Sequence, residues 1–277
     1  MQGVSLHFPD CGYTYGKETQ VRIVGHMQVT LVAYYGTKPP YLSDFIRLCQ
    51  DKLSEQLRAA FRPYEVEQVH ATIVGLEGIR SSQGILNLNF LEARKEQRMV
   101  SVKDVMQLLT MSSRLPMSFR MGGYRQDCDY GFTSRGQQPY ARSFSIQKDI
   151  VVSMGWPFDQ ERCTDSLYQL RHDLQEVGVL HKSHRSEQDF PDNDFYFVLG
   201  RVDVSSLPPV KIQETQELMR SFLAGIKPMS VTVDRANIFL VGYLDTQLPR
   251  STSHAMSVEE ATADVEAVED LYPNTSV

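Results

Sequence analysis

The feature that most limits how this chain can fold is a strand–helix–strand unit that occurs twice. Residues 27–35 are apolar and β-branched, residues 43–60 carry apolar side chains at helical spacing, and residues 69–76 are aliphatic again. Residues 144–156, 164–178 and 195–202 repeat that order. Short apolar runs closed by Gly or Pro read as buried strands, and a 3.6-residue apolar period reads as a helix. In the first helix the stripe is Phe45, Ile46, Cys49, Leu53 and Leu57, with Ser43 as the expected N-cap; in the second it is Leu167, Leu170, Leu174 and Val177, with Thr164 as the cap. The first crossover is long enough for its two strands to pair in parallel. Each unit continues through a helix into further strands: 117–124 in the first half, 230–233 and 238–244 in the second. The expected fold is therefore α+β, with two pseudo-symmetric lobes facing each other across a central cleft.

The boundaries follow from composition. Residues 1–20 are rich in Gly, Tyr and turn formers and read as an irregular arm. Residues 21–250 read as one bilobal domain, with lobes at about 21–125 and 143–250. Residues 251–277 contain six acidic and no basic residues and read as a disordered tail, the segment through which a protein partner would be engaged. Without that tail the chain has 28 basic and 34 − 6 = 28 acidic residues, so the formal charge of −6 is the tail's own. A neutral body argues against a broad nucleic-acid surface but leaves room for a small anion held by local arginines. No apolar run approaches the roughly 20 residues that span a bilayer, and no signal peptide is visible. The four cysteines are far apart, which reads as reduced thiols in a cytoplasmic protein with no metal site. Arg120, Arg125, Arg135 and Arg142 gather in or beside a Gly-rich stretch, residues 125–142, expected to be a hairpin or long loop.

Chemistry enters at Val69–Leu76. Its aliphatic character is broken only by His70 and Thr72. Strand alternation puts His70, Thr72 and Val74 on one face and Ala71, Ile73 and Gly75 on the other. A buried imidazole and hydroxyl side by side cost free energy unless a core group or a bound anion satisfies them. The tripeptide alone means little: H-x-[ST] also occurs at His181-Lys182-Ser183 and His184-Arg185-Ser186, and about one such match is expected by chance. Only His70 lies on an aliphatic strand; the other two lie in a polar connection.

With His70-Ala71-Thr72-Ile73 in this place, the chain resembles the 2H phosphoesterase superfamily, which includes 2′-5′ RNA ligase-like proteins and cyclic phosphodiesterases. That family carries one H-x-[ST]-hydrophobic strand in each of two α+β lobes. Here the second strand reads Asp194-Phe195-Tyr196-Phe197-Val198-Leu199-Gly200-Arg201 and has no histidine. Phe195, Phe197 and Leu199 should pack on the helices, leaving Asp194, Tyr196 and Val198 toward the cleft. Depending on a two-residue choice of register, Asp194 or Tyr196 replaces the second histidine. The resemblance implies a nucleotide or RNA-end phosphodiester ligand and metal- and cofactor-free acid–base catalysis. His70, Thr72 and Tyr196 are then the catalytic candidates, with Asp194, Arg142 and Arg201 as substrate-binding candidates. Arg201 should point with Phe197 and Leu199, and His181 or His184 is an alternative source of a second imidazole. Two readings stand side by side: a divergent phosphoesterase, and a degenerate module that binds a nucleotide, RNA or protein without turnover.

Overall fold

The computed structural model describes residues 27–184 and 191–273, together with the backbone of residues 13–14 and 22–23, which pair as a two-stranded ribbon. The rest of the arm, His26 and residues 185–190 lie outside the described residues.

In chain order the elements that position the site are β1 (Gln28–Ala33), α1 (Pro40–Leu57), β2 (Ala71–Gly75), α2 (Val102–Met111), β3 (Met117–Met121), β4 (Ile150–Asp159) and α3 (Ser166–Asp173). Then come β5 (Phe195–Val202), α4 (Pro209–Gly225), β6 (Met229–Val233), β7 (Ile238–Tyr243), β8 (His254–Ser257), α5 (Val258–Ala263) and α6 (Val265–Glu269). The strands join one mixed-length sheet whose main path is β6-β3-β4-β5-β2-β1-β7-β8. The two central strands are β2 and β5, and the order is symmetric about their seam. Helix and strand types follow the sequence reading, and the fold is α+β.

The details correct that reading in four places. First, α1 starts at Pro40 and not after Ser43. A proline at the first helical position lacks only an N–H that would have no intrahelical partner, and its fixed φ suits the helix. The second helix likewise starts after Asp165, not Thr164. Second, β1 and β2 are antiparallel, with Ala33 opposite Ala71. The helix does not carry the chain back to the start of β1. It delivers it, by way of Phe61–Pro63 paired to the end of β5, to the end that β1 left.

Third, the halves do not separate at residues 125–143. β3 follows the first unit in sequence but pairs with β4, and β7 follows the second unit but pairs with β1. The β5 half of the sheet thus takes β3 from the first half of the sequence, and the β2 half takes β7 and β8 from the second. Fourth, the acidic tail is folded through residue 273. β8 covers the edge of β7, with Leu240 opposite Met256. Met256, Val258, Ala261, Val268 and Tyr272 are buried in the main core, and the tail finds a basic partner in the body, Arg80, 2.5 Å from Asp270. A few well-spaced apolar side chains outweigh the charge of the segment. Ser257 caps α5 in a reciprocal capping box with Glu260. Ser257→Ala is expected to lower stability by about 1 kcal/mol, read as a shift in the urea midpoint; an unchanged midpoint would mean the capping box contributes nothing.

The helices cover one face of the sheet, where Leu31, Ala71, Ile73, Phe195, Phe197 and Leu199 join the main core. The other face carries two smaller clusters. One is Val32, Tyr35, Val241, Tyr243 and Leu248; the other is Tyr124, Val152, Met154, Trp156 and Phe158. Among the described residues no helix is long and apolar enough to cross a membrane.

Candidate active site

The seam between β2 and β5 is held by a single ladder pair, Ala71 opposite Phe197. Both side chains point to the helices. On the opposite face, antiparallel geometry puts Thr72 beside Tyr196 and His70 beside Val198. This is the face that lies between the two smaller clusters, against one of which Tyr196 and Val198 pack.

Two β-bulges show which residue of β5 corresponds to His70 by register. In β2 the pairing to β1 skips Ile73: Thr72 faces Val32 and Val74 faces Leu31. In β5 the pairing to β4 skips Leu199: Val198 faces Val152 and Gly200 faces Val151. Aligning the bulges, Ile73 with Leu199, also aligns Ala71 with Phe197, the pair at the seam. Both observations place Tyr196 where His70 stands and Val198 where Thr72 stands. Asp194 is two residues out of register.

The bulges also correct two side-chain directions, because one extra residue changes the phase of the alternation. Val74 joins the main core and leaves the His70 face. Arg201 does the reverse: its ladder partner Ile150 packs on the cluster of the open face, so Arg201 lies there and not with Phe197 and Leu199. Its guanidinium is 2.8 Å from Asp149. Gly200 is required at this bulge, since a Cβ there would lie 2.4 Å from the backbone oxygen of Arg62.

His70 is buried, 8% exposed, and sits just before β2. Its Nδ1 is 2.7 Å from the carbonyl oxygen of Gln68. A carbonyl only accepts, so Nδ1 carries the proton in the neutral ring and Nε2 presents its lone pair. Nε2 has no hydrogen-bond partner among the described residues. Burial, aided by the charge of Lys38, pulls the imidazole down to about 4 against the Gln68 bond, so the ring is neutral near pH 7. The Thr72 and Tyr196 hydroxyls also lack partners among the described residues. Burial raises the Tyr196 phenol above its ordinary value, partly opposed by Arg171. The His70 imidazole with its Nε2 unpartnered, the Thr72 hydroxyl and the Tyr196 phenol thus share one face of the sheet.

The remaining sequence candidates are already engaged. Asp194 Oδ1 accepts from Ser134 Oγ (2.6 Å) and Trp156 Nε1 (2.7 Å), and Oδ2 accepts from Arg142 Nη2 (2.9 Å). Arg142 also donates from Nε to Ser134. The expected substrate-binding pair is therefore a closed ion pair that props the wall beside Trp156. His181 and His184 pack edge to face, 5.1 Å between ring centres. His181 lies 3.6 Å from Asp192. Burial, then the charge of Arg171, pulls His181 to about 3 and His184 to about 4. Burial alone would raise the Asp192 carboxyl; contact with His181 and the Arg171 charge outweigh it and hold the group ionised. The described residues contain no group of three or more His, Cys, Asp or Glu arranged to hold a metal.

Two important residues escaped the sequence reading. Arg171 is fully buried on α3 and donates to the carbonyls of Ile73 (2.7 Å), Thr72 (3.2 Å), Asp192 (2.9 Å) and Asp194 (3.3 Å), as well as to Asp192 Oδ1 (3.2 Å). It fills the gap where the central strands splay. The signal was present: Arg171 lies four residues after Leu167 and three before Leu174, inside the apolar stripe. The second is Lys38, buried in the turn after β1; nothing in Gly36-Thr37-Lys38-Pro39-Pro40 marks it.

No family model matches the sequence, and no curated protein does. Among solved structures, the chain is similar to Escherichia coli LigT complexed with 3′-AMP, at 11% identity and a TM-score of 0.35, covering 83% of this chain and 94% of that one. It is similar also to LigT complexed with NADP+, at 13% identity and a TM-score of 0.36 over the same shares. A structure described as a phosphoesterase matches at 12% identity and a TM-score of 0.35, covering 83% of this chain and 95% of its own. These are likenesses of fold.

Proposed function

We propose that this chain is a divergent 2H-type phosphoesterase acting on a nucleotide or RNA-end phosphodiester, with His70 as general base and Tyr196 as proton donor. The observation that carries this reading is the symmetric placement of His70 and Tyr196 across the β2–β5 seam. A 2′,3′-cyclic phosphate lying over the seam meets one on each side. His70 Nε2 takes a proton from the attacking water as the new P–O bond forms. The P–O bond to the leaving oxygen breaks, and that oxygen takes the Tyr196 proton. Solvent then returns a proton from the imidazolium to the phenolate. Thr72 holds a phosphoryl oxygen. Val198, standing where a second hydroxyl would be, offers nothing to the other.

That loss, with a phenol less acidic than imidazolium, favours a second reading in which the same face binds a nucleotide without turnover. Incubation with 2′,3′-cyclic nucleotides separates the two: a nucleoside monophosphate should accumulate. Tyr196→Phe is expected to lower kcat on the order of 10²-fold, the lower range for one acid–base group. The unfolding midpoint should stay put, because the phenol hydroxyl makes no hydrogen bond among the described residues. Binding with no product at any enzyme concentration would establish the second reading.

The protonation of His70 sets the acid limb of the rate profile. Burial holds its imidazole near 4, so the lone pair is available well below the ordinary histidine range. We expect kcat/KM to hold from pH 7 to about 5 and to fall toward pH 4. A limb at the unperturbed value of about 6.5 would mean that a different or solvated histidine is the base.

A further inference from the structure

Three basic groups meet where β1 leads into α1. The Lys38 ammonium is in a residue only 8% exposed and donates to two backbone carbonyls, Gly36 (3.0 Å) and Glu67 (3.4 Å). An ammonium has three protons, so one remains unspent. Arg250 lies over the Tyr35 ring, 5.3 Å from its centre, and makes no hydrogen bond or ion pair among the described residues. His70 meets the same ring edge to face, 5.9 Å between centres.

The corner is fixed from three chain segments. The Gly36 N–H donates to Glu67 (2.8 Å), Gln68 Nε2 donates to the Gln247 carbonyl (2.8 Å), and the Tyr35 hydroxyl donates to the Leu248 carbonyl (3.0 Å). Gly36 has φ +93°, and a Cβ there would come within 2.8 Å of Arg250 Nη1. The positive end of α1, an 18-residue helix, begins two residues after Lys38.

The charges are poorly compensated. Burial, opposed by Glu67 and reinforced by Arg250, draws the Lys38 ammonium down to about 7. Glu67 is exposed and forms no ion pair with it. A buried ammonium without a counter-ion is costly, and an entering anion would relieve that cost.

We propose that Lys38 and Arg250 form a second anion subsite beside His70, so that the preferred ligand is a nucleotide or RNA end bearing two phosphate groups. This rests on the reading of the His70 face as a phosphodiester site: one phosphate lies over the seam and the other in the Lys38–Arg250 corner.

Calorimetry with adenosine 3′-monophosphate, adenosine 3′,5′-bisphosphate and inorganic pyrophosphate tests it. The wild-type chain should bind the bisphosphate roughly tenfold more tightly than the monophosphate, about what one charge-assisted contact supplies. In Lys38→Met that preference should vanish while monophosphate affinity is kept; Arg250→Gln should lose part of it. Thr72→Ala should weaken both nucleotides alike and preserve their ratio. Arg250 is exposed, so its variant carries the test if Lys38→Met does not fold.

Equal wild-type affinities, or a preference that survives in the Lys38 and Arg250 variants, overturn the subsite. The outcomes also separate it from the catalytic reading. A bisphosphate preference without turnover of cyclic nucleotides keeps the subsite and removes the phosphoesterase. Turnover without the preference does the opposite. If neither nucleotide binds, pyrophosphate decides: binding lost in Lys38→Met supports the subsite, and no binding overturns it.

Discussion

Arg171→Met should lower the folding stability of the chain by about 3–5 kcal/mol, the usual cost of removing one partner from a buried ion pair. The residue is fully buried, and its guanidinium satisfies four backbone carbonyls and the Asp192 carboxylate. Methionine fills most of the volume but donates nothing. Asp192 would keep His181, the exposed Arg135 and the Asp194 N–H but lose its buried guanidinium, and the carbonyls of Thr72 and Ile73 would face an apolar thioether. Lysine should recover little, because one ammonium cannot span carbonyls on two diverging strands as a planar fork can. Urea unfolding of both variants measures this; a change below about 1 kcal/mol, the size of an ordinary surface effect, would mean that the guanidinium is not what closes the gap.

His70→Ala should lower kcat for a 2′,3′-cyclic nucleotide by roughly 10²–10⁴-fold, the range for removing a general base. The variant loses one hydrogen bond, to the Gln68 carbonyl, and an edge contact with Tyr35. Its fold should therefore persist, with a stability change of about 1–3 kcal/mol. Added imidazole should restore part of the rate if the lone pair alone was lost. A large stability loss with unaltered turnover would make His70 a core residue and remove the basis of the phosphoesterase reading.

The layers of the fold could be read from the sequence because each rests on local periodicity. The α1 stripe from Phe45 to Leu57, the core alternation of Phe195, Phe197 and Leu199, and the central place of both motif strands all follow from spacing. The exchange of β3 and β7 between the halves could not be read, since both connections have ordinary composition and pairing is decided far along the chain. The folded tail was hidden by its charge: six acids masked five buried side chains.

At the candidate site, the shared face of His70, Thr72 and Tyr196 was legible from strand alternation. The role of Asp194 was not, because nothing near it in sequence announces Ser134, Trp156 and Arg142 as its donors. The direction of Arg201 was misread because a bulge leaves no mark on the alternation except Gly200. Lys38 was invisible for the same kind of reason: Glu67, whose carbonyl accepts from it, and Arg250, whose charge acts on it, lie far along the chain.

Two central strands that share one ladder pair, with Phe61–Pro63 paired only to the far end of β5, have little backbone to stop them from parting at their front. Between Ala71–Phe197 and the carbonyls gathered by Arg171, the joint should behave as two plates on a short hinge, with a helix side chain as the pin. The width of the gap between the plates is then governed from behind, by α3, and not by the residues that line the front. Amide exchange at Thr72 and Tyr196 should report that opening: a ligand lying across the seam should slow both together, and loosening α3 should speed both together.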